Sequence, residues 1–292
     1  MNGLLIDADL PDGVKLEQTE KEAWITVPER GMFEALMPIR ILLPGVKLRI
    51  RAGATSRARF VIDYEFDAAL EAVFELDSGA FMDVFHLDYQ ERDKKLTARN
   101  FYSLKKHASL NVWTFASGSS AEIRHELKFL EPHGFASLRG LSLLGDSTDV
   151  THVVTVDHAA GYCASRQFYK TILADKARSA FESLVIVAKG AEKSDSRQLN
   201  KNLLLSKDAV AVSRPELRIS ADDVACAHGS ATGELREEEL FYLRSRGIRE
   251  QAARFMMTEG FASEVLEEVP QPELREELQA LVKDRILQLV RL

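Results

Sequence analysis

The segment SRQFYK at Ser165–Lys170 returns as SRQLNK at Ser196–Lys201. Ser, Arg, Gln and Lys occupy the same positions in both copies, which begin 31 residues apart, at residues 165 and 196. Two strand-like stretches fit into that interval, so one repeat would make one turn of a coil of strands. A β-helix built in this way stacks each strand on its equivalent in the next turn. The repeat therefore predicts a β-helix.

The spacing of apolar segments around the repeat favours the same fold. EIRHELKFL, which starts at Glu122, alternates strictly and predicts a strand with one buried face. Strand-like stretches recur roughly every 14 residues, as short strands with tight corners would. They begin near Leu110, Glu122, Ala136, Thr151, Ser165, Ala180, Ser196, Ala209 and Asp223. The chain has few Asn-Gly or Asp-Gly hairpin signals. A β-sandwich with long loops remains the alternative.

The pattern changes to helical after Gly233. LREEELFYLRSRGI reads as a helix with acidic residues in its first turn, basic residues in its last turn, and Gly247 as its stop. A second helix is expected from about Arg249, interrupted or ended near Gly260. A third is marked by an apolar stripe of Leu274, Leu278, Leu281, Val282, Ile286, Leu289 and Val290. We predict a β-helix core over residues 1–235 and a small helical domain over residues 236–292.

Composition and charge limit the partners of the chain. Its 292 residues are 46% hydrophobic and 28% charged, which is typical of a globular protein. A net charge of -7 argues against binding to nucleic acid or to an anionic membrane surface. The N-terminal sequence lacks the pattern of a signal peptide, and no long apolar stretch predicts a membrane span. We expect a cytoplasmic protein whose two cysteines are thiols.

Several common catalytic motifs do not occur in the sequence. There is no phosphate-binding G-x-x-x-x-G-K-[ST] loop, so we expect the chain to bind no nucleotide. There is also no H-E-x-x-H, C-x-x-C or G-x-S-x-G motif. A carbohydrate-active β-helix enzyme would need acids on successive turns. Asp222 and Asp223 are candidates, although paired acids at the start of a strand more often form a solvated corner.

Cys226 and His228 are the residues with the clearest chemical potential. Residues two apart in a strand face the same side, so a thiolate and an imidazole could bind one metal or cluster together. Two ligands are too few for an iron–sulfur cluster or a zinc site, so the others would have to come from elsewhere. The alternative is that Cys226 is a small buried hydrophobic residue and His228 a hydrogen-bonded strand residue. His125, His152 and His158 are interpreted as structural.

The second half of the sequence resembles the SufB/SufD family of iron–sulfur cluster assembly scaffolds. The resemblance runs from about Gly161 to Leu266 and is densest in DKARS, NLLLS, ADDV-C-HG and LFYLRSRGI. It implies a right-handed parallel β-helix followed by a C-terminal helical domain. It also implies two partners: a SufC-type ATPase on the helical tail and a sister subunit joined through the β-helix.

The SufD-like branch fits better than the SufB-like branch. SufB-like chains carry a cysteine just before the apolar run LLLS and a glutamate after the histidine of the HG block, whereas this chain has Lys201 and Gly229 there. His228 matches the SufD histidine at the heterodimer interface, and Cys226 matches a nearby SufD cysteine. Family members usually have a longer N-terminal helical region, which we expect this chain to lack.

The resemblance implies a non-enzymatic scaffold subunit of a SufBCD-type complex. His228 and Cys226 would hold a transient iron–sulfur cluster shared with the partner. A homodimeric scaffold that binds only the ATPase is the first alternative, and the carbohydrate-active enzyme is a weaker one. The residues expected to bind the ATPase lie in the first helix: Leu240, Phe241, Tyr242, Leu243, Arg244 and Arg246.

Overall fold

The computed structural model describes residues 6–43, 45–64, 69–89 and 95–290. It is a β-solenoid of about seven turns, with 53% of the chain in strands and three helices at its C-terminal end. The predicted β-helix is confirmed, and the β-sandwich is excluded. Residues 1–5, 291 and 292 lie outside the described part of the chain, so the outer ends of both predicted domains do too.

Eighteen strands in the described residues form two nine-stranded sheets. The strands are β1 (Ile6–Ala8), β2 (Lys15–Gln18), β3 (Glu22–Val27), β4 (Met37–Ile41), β5 (Val46–Ala52), β6 (Arg57–Tyr64), β7 (Ala69–Leu76), β8 (Phe81–Asp88), β9 (Leu96–Leu104), β10 (Ser109–Ala116), β11 (Ala121–Phe129), β12 (Phe135–Leu144), β13 (Asp149–His158), β14 (Ala164–Leu173), β15 (Arg178–Val187), β16 (Asp195–Leu204), β17 (Val210–Ile219) and β18 (Ala225–Glu234).

The chain alternates between the two sheets along most of its length. Sheet A contains β1 and the even-numbered strands from β4 to β18, and sheet B contains β2 and the odd-numbered strands from β3 to β17. Neighbours pair in parallel from β3 onward, whereas β1 pairs antiparallel with β4 and β2 pairs antiparallel with β3. Each parallel step is a full turn, which is why a sequence repeat of one turn spans two strands.

The two copies of the SRQ repeat lie on successive turns of sheet A. Strands β14 and β16 pair in register, so Ser165 faces Ser196 and Lys170 faces Lys201. The serine hydroxyls are 2.9 Å apart and hydrogen-bonded inside the solenoid. The repeat thus marks one turn, as its spacing predicted.

Three helices follow the last strand: α1 (Glu237–Ser245), α2 (Glu250–Leu266) and α3 (Pro272–Leu289). Gly247 ends α1 in the left-handed conformation, with φ of 85°, and the Ile248 N–H donates to the carbonyl of Leu243, as expected. The predicted interruption near Gly260 is wrong, because α2 runs through it unbroken. One member of the α3 stripe is also misplaced, since Leu281 is 36% exposed while its other members are buried.

Helices α2 and α3 pack against the outer face of sheet A. Apolar side chains point outward from β8, β10, β12 and β14, and the helices cover them. These strands are therefore buried on both faces, while β11, β13 and β15 of sheet B alternate between buried and partly exposed positions. The shared cluster includes Phe85, Trp113, Leu141, Ile172, Val265, Leu278 and Ile286.

The repeated lysines anchor α2 to this sheet. The Lys170 side chain is fully buried, and its Nζ donates to the Phe261 carbonyl at 2.6 Å and to Glu264 at 2.7 Å. Lys201, one turn further along, reaches the same Glu264 carboxylate at 3.3 Å from a more exposed position. The repeat therefore supplies two ammonium groups to one carboxylate of the helix.

The pKa values of Lys170 and Glu264 are both lowered, and the two shifts have opposite meanings for the ion pair. The hydrogen bond from Lys170 lowers the pKa of Glu264, which indicates a favourable contact. Burial lowers the pKa of Lys170 despite that contact, so desolvation offsets the ion pair from the lysine side. Because Glu264 is half exposed, we attribute the stabilising contribution of Lys170 mainly to its buried bond with Phe261 and to the packing of its stem.

We expect Lys170→Ala to lower the free energy of unfolding by about 2–3 kcal/mol, because it removes a charged hydrogen bond and buried packing together. Lys201→Ala is the matched control and should cost less than about 1 kcal/mol, as for other exposed ion pairs. Urea denaturation of both variants measures the difference. Equal losses would show that α2 is not anchored through the buried lysine.

Candidate functional site

Cys226 and His228 lie on the last strand of sheet A, at the open end of the solenoid. In the parallel ladder, Cys226 is aligned with Ser196 and His228 with Gln198. Ser196 and Gln198 are buried inside the solenoid because β18 covers them. Strand β18 ends sheet A and β17 ends sheet B, so the inward side chains of this last turn are uncovered. His228 is accordingly exposed, and Cys226 is half-buried.

The environment of Cys226 favours its neutral thiol in the isolated chain. The residue packs partly against the interior apolar cluster. Burial raises the pKa of the thiol, and the nearby Asp195 carboxylate raises it further, while a backbone hydrogen bond from Ser196 acts against both. Since metals bind the thiolate, a cation or an additional positive group would have to reach this end before Cys226 could become a ligand.

The inward face beneath these two residues is polar. Ser165 and Ser196 hydrogen-bond to each other at 2.9 Å. On the other side of His228, the Asn202 side chain donates to Asn200 at 2.9 Å and to Thr232 at 3.0 Å. Turns nearer the N-terminus have mostly apolar side chains in equivalent places, for example Leu110. The interior thus becomes more polar toward the open end.

The other histidines singled out from the sequence are structural, as interpreted. His125 is fully buried and bonds to Tyr102 at 3.1 Å. His152 and His158 are also buried, and each bonds to a serine hydroxyl at 2.9 Å. Burial lowers the pKa of His125 and brings the pKa values of His152 and His158 to about 4, so these rings are neutral around pH 7.

Within the described ranges, no group of three or more His, Cys, Asp or Glu side chains could hold a metal ion. Cys163 is buried, and its thiol faces backbone carbonyls rather than another ligand. Asp222 and Asp223 are exposed at a corner, where Asp223 forms an ion pair with Lys193. Cys226 and His228 therefore remain the two candidate ligands in this part of the chain.

Helix α1 carries the residues predicted to bind a partner, and they do not share one environment. Leu240 is buried in the chain and Leu243 is half-buried, whereas Phe241 is 72% and Tyr242 is 56% exposed. Arg244 and Arg246 are exposed as well: the former lies 3.4 Å from Glu250, and the guanidinium of the latter stacks over the Tyr242 ring. The four exposed residues could contact a partner without rearrangement: Phe241, Tyr242, Arg244 and Arg246. Large exposed aromatic side chains are typical of binding surfaces.

Two buried polar side chains were not predicted from the sequence, one beneath the site and one beneath α2. The buried amide of Gln198 under His228 has no separate sequence signal, although Gln is part of the repeat. The burial of Lys170 has no sequence signal either, because a lysine is almost never buried without a partner and the partner lies on a distant helix. In both cases the missing information was the residue on the adjacent turn or on α2.

The fold and the site together define a parallel β-solenoid that presents potential metal ligands at an open end and carries C-terminal helices on one sheet. The chain belongs to the family described as SUF system FeS cluster assembly, SufBD core domain, whose profile matches residues 46–261. The match extends further toward the N-terminus than the resemblance noted from the sequence. The protein is thus a member of the SufD/SufBD family of iron–sulfur cluster assembly proteins.

Curated relatives carry corresponding names. The chain is 42% identical over 131 residues to "Iron-sulfur cluster assembly protein SufD" of Escherichia coli, which covers 45% of this chain and 31% of that protein. It is 30% identical over 250 residues to "Iron-sulfur cluster assembly SufBD family protein ML0594" of Mycobacterium leprae, which covers 82% of this chain and 64% of the relative. The matched regions thus span less than two thirds of these relatives. No helix in the described residues is long and apolar enough to cross a membrane.

Proposed function

We propose that this chain is a non-enzymatic scaffold subunit of a SufBCD-type iron–sulfur cluster assembly complex. The observation that carries the proposal is the position of Cys226 and His228 on the inward face of the last strand, at the uncovered end of the solenoid. A half-site at such an end becomes complete only when a second chain covers it. His228 and Cys226 would then hold the cluster transiently, as cargo shared with the partner.

The exposed edges of β17 and β18 offer a way to recruit that partner. An edge strand presents backbone N–H and C=O groups that can pair with a strand of another chain. A SufB-like subunit that continued both sheets would bring its own side chains over His228. This arrangement supports the predicted two-chain site and explains why three or more ligands need not come from this chain.

The C-terminal helices are proposed to dock the SufC-type ATPase, with residues 236–292 as the docking unit. Phe241, Tyr242, Arg244 and Arg246 give α1 an exposed surface that combines aromatic and basic groups. Aromatic and arginine side chains dominate the binding energy of many protein interfaces. The chain itself would bind no nucleotide and would influence the ATPase only through this contact.

Replacing both aromatic residues, Phe241→Ala with Tyr242→Ala, should weaken ATPase binding at least about 30-fold, because one hot-spot residue contributes about 2 kcal/mol or more. Stability should change by less than about 0.5 kcal/mol, since both side chains are mostly exposed. Leu287→Ala, at a partly exposed position on α3, is the matched control. Surface plasmon resonance with the purified ATPase measures the binding of the double variant and of the control. Parent-like binding by the double variant would place the docking surface elsewhere.

Co-purification tests the proposal as a whole. The full chain, expressed with a SufB-like subunit and a SufC-type ATPase, should yield one stable complex that contains all three. A homodimer that binds only the ATPase would instead support the alternative in which two copies of His228 face each other. Failure to bind either protein would contradict the scaffold function.

A further inference from the structure

A chain of buried side-chain hydrogen bonds leads across the solenoid interior to the position beneath His228. The Gln198 amide nitrogen donates to the Ser183 hydroxyl at 2.6 Å, and that hydroxyl donates to the Gln167 amide oxygen at 2.6 Å. The three side chains are almost completely buried. Ser183 belongs to sheet B and both glutamines to sheet A, so the bonds connect the two walls of the solenoid just below its open end.

Gln198, the first residue of this series of hydrogen bonds, has one unused acceptor. Oε1 of Gln198 is buried and has no hydrogen-bond partner among the described residues. Its neighbours on the inward face of β16 differ in this respect: Ser196 bonds to Ser165, and Asn202 bonds to Thr232. A buried acceptor is usually paired, so the free oxygen of Gln198 calls for a donor.

His228 is the residue placed to supply that donor. It is the direct partner of Gln198 in the parallel ladder. Aligned residues on adjacent strands lie about 4.8 Å apart and point the same way, so the two side chains are neighbours. A neutral imidazole has one N–H to donate and one bare nitrogen to bind a metal.

We propose that Gln198 is a positioning residue that accepts the ring N–H of His228 and so selects the tautomer whose bare nitrogen faces the partner. The proposal rests on the proposed function, because it concerns how His228 is prepared as a ligand. Metal-binding histidines almost always donate their second ring nitrogen to an oxygen in this way, which fixes the orientation of the ring. The Ser183 hydroxyl accepts from the Gln198 amide nitrogen and so holds the amide in place.

Nitrogen-15 NMR of the full chain, labelled at histidine and recorded near pH 8, tests the contact directly. His228→Ala assigns the signals, which is practical because the chain has 7 histidines. We expect one dominant His228 tautomer in the parent. Gln198→Met, which keeps the length but removes the acceptor, should shift the tautomer ratio about fivefold, the size expected for one hydrogen bond. Gln198→Glu, which keeps an acceptor oxygen, should restore the parent tautomer.

Gln167→Met is the matched control, because it removes an equivalent amide one turn below without touching His228. The Gln167→Met variant should keep the dominant His228 tautomer of the parent. An unchanged ratio in Gln198→Met, or an equal shift in Gln167→Met, would overturn the proposal.

Cluster assembly in the co-expressed complex separates this inference from the function on which it rests. Gln198→Met should reduce assembly about 10-fold, since removal of the second-nitrogen partner of a histidine ligand typically costs that much. A tautomer shift without loss of assembly would support the positioning contact and refute the ligand role of His228. Loss of assembly in His228→Ala with no tautomer shift in Gln198→Met would support the ligand role of His228 and refute the positioning contact.

Discussion

Lowering the pH from 7 to 5 should destabilise the folded chain by about 6 kcal/mol, through protonation in the unfolded state of three buried histidines: His86, His152 and His158. Burial lowers the pKa of His86 to about 3 and those of His152 and His158 to about 4, from an ordinary value of 6.5. The pKa of His125 is lowered as well, by burial and by its neighbouring histidines. The rings of His86, His152 and His158 are therefore neutral in the folded chain at pH 5.

The direction follows from which state binds more protons. Below pH 6.5 the unfolded chain protonates these histidines while the folded chain does not, so stability falls with pH until the folded pKa values are reached. Each histidine contributes about 1.4 kcal/mol per pH unit, or about 2 kcal/mol by pH 5. The sum is comparable with the whole stability of a typical domain, about 5–15 kcal/mol. Asp83, whose pKa is raised by burial, opposes this trend by at most one proton.

Urea denaturation at half-unit pH steps measures this dependence. The slope of the unfolding free energy between pH 6 and 5 should correspond to uptake of about three protons. His152→Gln should reduce that uptake by about one, because one buried ring is gone. Leu287→Ala, which removes no titratable group, should leave the slope unchanged. Constant stability between pH 7 and 5 would contradict neutral, buried histidines.

The fold was predictable from the sequence because one turn of the solenoid leaves a direct trace. Ser165 and Ser196 occupy equivalent inward positions and hydrogen-bond to each other, so the same residue type is favoured in both. Strict alternation in β11 similarly identified a strand with one buried face. The glycine stop of α1 was predictable because Gly adopts a positive φ without strain.

The docking of α2 and α3 onto sheet A was harder to predict. Its signal was the loss of alternation in strands such as β8 and β12, where apolar side chains point both ways. Such strands can be buried under helices or under another sheet, and sequence periodicity does not distinguish the two. The burial of Lys170 could not be predicted from the local sequence, because its partners Phe261 and Glu264 are about 90 residues away in the chain.

The candidate site was predictable only in part from the sequence. The spacing of Cys226 and His228 placed them on one face of a strand, and both do occupy inward positions of β18. The spacing could not reveal that β18 ends the sheet, nor that Gln198 lies beneath His228. Both facts depend on where the coil of strands stops and on which turn precedes it.

Substitution of His228 should have the largest effect on function, with little effect on folding. The side chain is exposed at the open end, so His228→Ala should change stability by less than about 0.5 kcal/mol. If its ring nitrogen binds the cluster, the same change should reduce cluster formation about 10-fold or more, as loss of a ligand group does. Cys226→Ala should have a weaker effect, because the thiol is half-buried and favours its neutral form.

The most direct test is the iron and sulfide content of the proposed complex with a SufB-like subunit and a SufC-type ATPase, prepared with His228→Ala in this chain. His133→Ala, at an exposed histidine three turns before the last strand, is the control. A scaffold that contributes an interfacial ligand predicts an intact complex that melts within a few degrees of the parent and contains about one tenth of its cluster or less, while the control assembles normally. Full cluster content in the His228→Ala complex, or a loss explained entirely by unfolding, would contradict the ligand role.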